Sequence, residues 1–163
     1  MSPTLKRKFL AAIPLGAAAI AAALLGGHDG LENRIYVPYR DVVGVLTVCD
    51  GHTGPDIIAG KRYSDAECDA LLNADIATVK KAVDPLITAQ IPETTRAALY
   101  TFTYNCGVDS FRKSTLLKML NAGNTAGTCD QLRRWTFAGG QKWRGLVNRR
   151  EIEHEVCTWK TAA

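Results

Sequence analysis

Hydrophobic positions divide the chain into three stretches of different period. From Phe9 to Gly27 it reads FLAAIPLGAAAIAAALLGG, with no charged residue within it. From Ile35 to Tyr63, short apolar runs alternate with turn residues. Val42–Cys49 is apolar and rich in β-branched side chains, Asp50-Gly51 is a tight-turn pair, and Ile57-Ile58 follows before Gly60. That spacing predicts a small antiparallel sheet. Beyond it the period turns helical. Ser64-x-x-Glu67 has the form of a capping box, and Cys68, Leu71, Leu72, Ile76, Val79 and Val83 recur at helical spacing up to Asp84-Pro85. A second helix is predicted from Pro92, taken as its first residue, to a break at Gly107. Others follow over 110–121, 129–137 and 142–159, the last with Leu146, Val147, Ile152, Val156 and Trp159 on its apolar side. The pattern predicts an α+β fold: a small antiparallel sheet and a mostly helical lobe, preceded by an N-terminal hydrophobic helix.

That first helix has the features of a membrane segment. Nineteen helical residues reach about 28 Å, close to the hydrocarbon thickness of a bilayer. Lys6, Arg7 and Lys8 precede the run and His28, Asp29 and Glu32 follow it. This asymmetry predicts a cytoplasmic N-terminus and an exported remainder. The run holds eight Ala, three Gly and Pro14 against seven Leu, Ile or Phe. Those seven favour insertion by only about 2–4 kcal/mol, so the segment is expected to be exported readily and held loosely. A cleaved signal peptide, cut near Ala21 or Ala23, and a permanent anchor are the alternatives. The sequence thus divides into a segment 1–27 and a body 28–163.

At 163 residues, with 47% hydrophobic and 22% charged side chains, the chain has the composition of one globular domain. Three of its positive charges precede the apolar run and the body is nearly neutral, which gives no reason to expect a nucleic-acid partner. Arg133, Arg134, Lys142, Arg144, Arg149 and Arg150 stand beside Glu151, Glu153 and Glu155. They are read as a solvated, salt-bridged face. Five cysteines suit an oxidising compartment. Sequence does not determine their pairing; Cys49–Cys68 and Cys129–Cys157, neighbours along the chain, are preferred, with Cys106 left free. Cys49-x-x-His52 and His154-x-x-Cys157 offer zinc-type ligands, but they lie about a hundred residues apart and would leave three cysteines unused. No metal and no cofactor are expected.

The candidate chemistry lies at the start of the body. Glu32 precedes the predicted sheet, Asp41 falls at its first turn and Thr47 in the strand that follows. Two carboxyl groups across a cleft are what breaking a glycosidic bond requires, one to protonate the leaving oxygen and one to act on water or on carbon. Two acids nine residues apart are common, and alone they read as solvated surface charge at a turn.

Their context is more specific. Glu32-x8-Asp41-x5-Thr47 resembles the catalytic spacing of the phage-type lysozyme family. The likeness continues through Gly51-His52-Thr53-Gly54, FTYNCG at 102–107, Ser114–Leu117, RRWTFAGGQKW at 133–143 and GLVNRREIE at 145–153. With the apolar segment, the chain is similar to the signal-anchor-release endolysins of lambdoid phages. The resemblance implies a lysozyme-like fold and hydrolysis of the β-1,4 bond between N-acetylmuramic acid and N-acetylglucosamine in peptidoglycan. It implies Glu32 as general acid, with Asp41 and Thr47 activating a water on the opposite face, an inverting route. Tyr104 and Ser114 match positions that line the family's sugar cleft, and His52 is a further candidate contact. The chain is then expected to act as a monomer, tethered to the host inner membrane through residues 9–27 and later soluble in the periplasm. The rivals are an inactive wall-binding protein and a lytic transglycosylase.

Overall fold

The computed structural model describes residues 1–160. Its elements are α1 (Pro3–Ala12), α2 (Ala17–Leu25), β1 (Ile35–Arg40), β2 (Leu46–Cys49), β3 (His52–Thr53), α3 (Asp65–Val83), α4 (Glu93–Cys106), α5 (Val108–Lys113), α6 (Thr115–Asn121), α7 (Thr125–Leu132), β4 (Phe137–Ala138), β5 (Gln141–Lys142) and α8 (Arg144–Cys157). Strands β1, β2 and β3 form an antiparallel sheet in that order, and β4 and β5 form a separate hairpin. The sheet flanks a helical lobe centred on α4, whose residues 97–103 are buried without a break. A helix buried on all sides belongs at the middle of a bundle. Helices α2, α3 and α8 pack around it.

The N-terminal segment departs most from expectation. It is not one helix preceding the lobe, and no helix among the described residues is long and apolar enough to cross a membrane. A short 3-10 turn at Ile13–Leu15 breaks it in two. Pro14 lacks the backbone donor that a continuous helix would use, and Gly16 has φ +87°, a conformation that favours glycine. Both halves fold back into the lobe. Leu5, Phe9, Ile20, Leu24 and Leu25 are fully buried in the same core as Leu99, Phe102 and Leu120. Phe9 meets Trp159 edge to face, and the Met1 ammonium pairs with Glu155 at 3.1 Å. Segment 1–27 and the body therefore share one core.

A side chain distant in sequence stabilises the break. The first N–H of α2, on Ala17, donates to Glu93 Oε2 at 2.7 Å. Glu93 thus acts as an N-cap supplied from α4, where a carboxylate also meets the positive end of the helix dipole. Replacing Glu93 with Ala is expected to cost about 1–2 kcal/mol and to lower Tm by roughly 3–6 °C in a thermal melt.

The remaining differences from the predicted elements are local. Strand β2 begins at Leu46, because Asp41 folds residues 42–45 into a turn. The third strand is His52–Thr53, directly after the Asp50-Gly51 turn, and not Ile57-Ile58. The predicted helix over 110–121 divides at Ser114, whose hydroxyl caps α6 by accepting from the Leu117 N–H at 3.1 Å. Pro92 is the N-cap of α4 rather than its first residue. The helix predicted over 129–137 runs instead over Thr125–Leu132, and Gly139-Gly140, both at positive φ, turns the hairpin after it. The capping box at Ser64 forms as read, with the Glu67 N–H donating to Ser64 Oγ at 3.2 Å and the Ser64 N–H to Glu67 Oε2 at 2.8 Å. Disulfides join Cys49 to Cys68 and Cys129 to Cys157, and Cys106 is a free thiol. The cysteines of both Cys/His pairs are thereby engaged, each with a different partner.

Candidate active site

Glu32 is positioned by the apolar segment. The Leu31 N–H donates to Leu24 O at 2.8 Å and the Glu32 N–H to Leu25 O at 3.3 Å, so the last turn of α2 carries the backbone of the acid. Gly30 lies so close to that turn that a Cβ on it would fall 2.2 Å from Leu25 O. Two residues beyond Glu32, Arg34 is buried against Asp50 at 2.7 Å and reaches Asp65 and Asp69. Asp50 also accepts the Gly27 N–H at 3.0 Å. One buried carboxylate therefore ties the end of α2, the stretch that carries Glu32, and the turn between β2 and β3.

The Glu32 carboxylate is half-buried. Its Oε1 accepts from Arg149 Nη1 of α8 at 2.6 Å. Its Oε2 lies beside Gly51, where a methyl group would come within 3.0 Å of it. The acid faces a cleft of about 760 Å³. Leu31, Glu32, Val42 and Val43 line it on the sheet side, and Asn105, Ala138, Gly139, Trp143, Gly145, Leu146 and Arg149 on the helical side.

Asp41 builds the turn that supplies Val42 and Val43 to that wall. Its Oδ1 accepts from the Val43 N–H at 3.0 Å and the Val45 N–H at 2.8 Å. Its Oδ2 makes no protein hydrogen bond among the described residues. Thr47 is buried on the central strand, opposite Tyr39, and donates to Val45 O at 3.1 Å. Burial first, and then the charges of Glu32 and Asp41, hold the Tyr39 phenol above its ordinary value, so both carboxylates lie within electrostatic reach of one side chain.

The three candidate sugar contacts all make internal hydrogen bonds, and none of them is among the residues that line this cleft. Ser114 is buried, accepts from Leu117 and donates to Phe111 O at 2.7 Å. His52 bonds Asp75 through Nδ1 at 2.8 Å and Asp56 through Nε2 at 3.1 Å. Tyr104 donates to Asp50 O at 2.7 Å and borders a smaller cavity of about 260 Å³ with Gly51, Thr53 and Asp75. Their hydrogen-bonding capacity goes to holding the frame of the site.

His52 gives this frame a pH dependence. Burial alone would lower its pKa, but the bonds to Asp75 and Asp56 outweigh it and hold the imidazole above its ordinary value of 6.5. The Asp75 carboxyl is itself raised, because burial outweighs the pull of His52. A raised carboxyl likewise loses stability as pH rises, so it acts in the same direction as the histidine. A raised histidine contributes stability in full below 6.5 and loses it as pH rises through the folded-state value. Thermal melts should therefore show Tm falling by a few degrees from pH 6 to pH 9, and falling less in His52→Gln. Parallel profiles for the two proteins would refute the assignment.

The sequence reading missed Arg149. Arg149 and Arg150 are not on a solvated face: they are 6% and 1% exposed, with Glu153 between them at 0%. Their spacing of three and four residues from Glu153 was a legible signal of helical ion pairs, but nothing in the sequence showed that the pairs face inward. Arg133, which pairs with Glu151 at 2.9 Å, lies on the solvated face as read.

Comparison with known proteins places the chain in a family. The phage lysozyme family model matches residues 29–153. A SAR-endolysin of Bacteriophage PS119 is 59% identical over 98% of this chain and 97% of its own. A SAR-endolysin of Enterobacteria phage PA-2 is 57% identical over 98% of each. Among solved structures, the muramidase domain of SpmX from Asticaccaulis excentricus superposes with a TM-score of 0.77 at 24% identity, over 86% of this chain and 95% of that one, and shows the lysozyme-like fold. By this family match and by relatives 57–59% identical over nearly its whole length, the chain belongs to the phage lysozyme family, glycoside hydrolases of the endolysin type.

Proposed function

We propose that the protein cleaves the β-1,4 bond between N-acetylmuramic acid and N-acetylglucosamine of peptidoglycan by an inverting route. Glu32 protonates the glycosidic oxygen in the cleft. Asp41, with Oδ1 committed to its turn and Oδ2 free of protein partners among the described residues, accepts a proton from a water on the other face of the sugar, and Thr47 helps hold that water. The observation that carries this reading is the placement of Glu32 on the cleft wall, next to the turn that Asp41 builds. The apolar lips at Val42, Val43 and Trp143 suit the faces and N-acetyl methyls of the sugars. Mass spectrometry of digested peptidoglycan tests the bond, with reducing N-acetylmuramic acid ends expected and anhydro ends indicating a transglycosylase. Proton NMR of the first product tests the stereochemistry, with the α-anomer expected from inversion.

The same reading extends to the apolar segment. Residues 9–27 first span the inner membrane with the body outside. Glu32 lies five residues beyond Gly27, at most about 18 Å of chain, so the acid of the tethered form stays at the membrane surface. On release the segment breaks at Pro14 and Gly16, fills the core, and offers the Leu24 and Leu25 carbonyls to Leu31 and Glu32. Ala19, Ala22 and Ala23 test this cleanly. In the folded protein they line an open groove of about 480 Å³, with room for larger side chains. Changing all three to Leu should leave the folded protein intact and strengthen insertion by about 1–2 kcal/mol. Cell fractionation should then find the protein retained in the membrane and lysis delayed; lysis on the normal schedule would count against release.

A further inference from the structure

Behind Glu32, four ionisable side chains form a chain running away from the cleft. Glu32 Oε1 accepts from Arg149 Nη1 at 2.6 Å, Arg149 Nε donates to Glu153 Oε1 at 3.1 Å, and Arg150 Nη1 donates to Glu153 Oε2 at 2.5 Å. Neutral groups close the rest. Arg149 Nη2 donates to Thr101 O at 3.0 Å, Arg150 Nε to Trp135 O at 3.0 Å, and Arg150 Nη2 to Asn105 Oδ1. With both acids ionised the chain carries no net charge.

That balance matters because a general acid works in its neutral form. When Glu32 holds the proton it will donate, it no longer neutralises Arg149, whose side chain at the cleft wall is only 7% exposed. A buried cation that loses its only anion is costly, by several kcal/mol. Here a second anion, Glu153, stays in contact with it throughout. We propose that Glu153 is a positioning residue for catalysis: it keeps Arg149 paired and in place while Glu32 carries its proton, so that Arg149 orients the acid without stripping it of that proton. The proposal rests on Glu32 being the general acid. Burial pushes the Glu153 carboxyl up, and the guanidiniums of Arg150 and Arg149 pull against it. Other ionisable groups around the pair are Tyr39 and Asp41 on the sheet side, and Tyr104 and Cys106 on α4, with Asp50 and Asp75 behind Tyr104.

The test is the pH profile of kcat/KM on isolated peptidoglycan, whose basic limb follows loss of the acid's proton. Glu153→Gln keeps the shape of the side chain but leaves the cluster one charge too positive, so the limb should move to lower pH by about one unit. Arg150→Gln leaves it one charge too negative and should move the limb the other way. The double variant restores neutrality and should return the limb towards the wild-type position. Opposite signs are not expected from mere loosening of the fold, which lowers activity at every pH alike. Limbs that coincide with wild type in variants that melt cooperatively would overturn the proposal. If Glu153→Gln does not fold, Arg150→Gln and the double variant decide it, and a limb that stays put in Arg150→Gln overturns it. Glu32→Gln run alongside separates the two levels: an active Glu32→Gln protein removes the general-acid reading itself, whereas an inactive one with unmoved Glu153 and Arg150 profiles removes only the role of Glu153.

Discussion

A chain beginning at Gly26 is expected to lose both its cooperative fold and its activity. Leu5, Phe9, Ile20, Leu24 and Leu25 are wholly buried, and each such side chain contributes about 1.5–3 kcal/mol. Together they supply about 10 kcal/mol, the same size as the total stability of a typical domain. The deletion also removes the carbonyls that receive the Leu31 and Glu32 N–H groups and leaves Glu93 without the helix end it caps. Circular dichroism melts and peptidoglycan turbidity assays measure both consequences. A truncated chain that melts cooperatively and clears peptidoglycan at the full-length rate would show that the segment is dispensable to the enzyme.

The second large effect is chemical. Glu32→Gln keeps the size of the side chain and an oxygen for Arg149, but it has no proton to give to a glycosidic oxygen. The rate on peptidoglycan should fall by a factor of about 100 to 10,000, the usual worth of a general acid. The fold should persist, since Arg149 keeps Glu153 and Thr101 as partners. Asp41→Asn separates structure from chemistry on the other side of the site. An amide oxygen can still accept from Val43 and Val45, so the turn stands, while a neutral amide is a poor base for water. Activity lost with Tm nearly unchanged is the expected result; Asp41→Asn with wild-type kcat would remove the water-activating role.

What the sequence disclosed, and what it hid, follows the range of the interactions involved. The capping box at Ser64, the turn at Asp50-Gly51 and the helix end at Gly107 depend on neighbours a few residues away, and they are legible. The candidate acids were singled out because their spacing resembles a family pattern, not because two carboxylates identify themselves. The break at Gly16 is different. Pro14 gives a local hint, but the cap comes from Glu93, 76 residues beyond Ala17. The inward turn of Arg149 and Arg150 was hidden for another reason. Apolar periodicity assumes that buried faces are greasy, and on α8 the buried face contains Arg149, Arg150 and Glu153 because their charges cancel together with that of Glu32. Ser114 and His52 show a third case: a polar residue near a cleft in sequence can spend all its hydrogen bonds on the frame.

The shared core sets an unusual constraint on how the first 27 residues can vary. In most proteins that insert into a bilayer, the inserting stretch answers to lipid alone. Under the release proposed above, each position must suit hydrocarbon at one stage and the neighbours of α2 at another, and the two demands fall on different faces. Ala17 and Ala21 are buried against the lobe, so enlarging them should damage the folded enzyme. Ala19, Ala22 and Ala23 border open space, so enlarging them should leave the enzyme sound while altering its departure from the membrane. Substitutions tolerated in nature should therefore fall into two sets that alternate around the helix, one policed by packing and the other by timing.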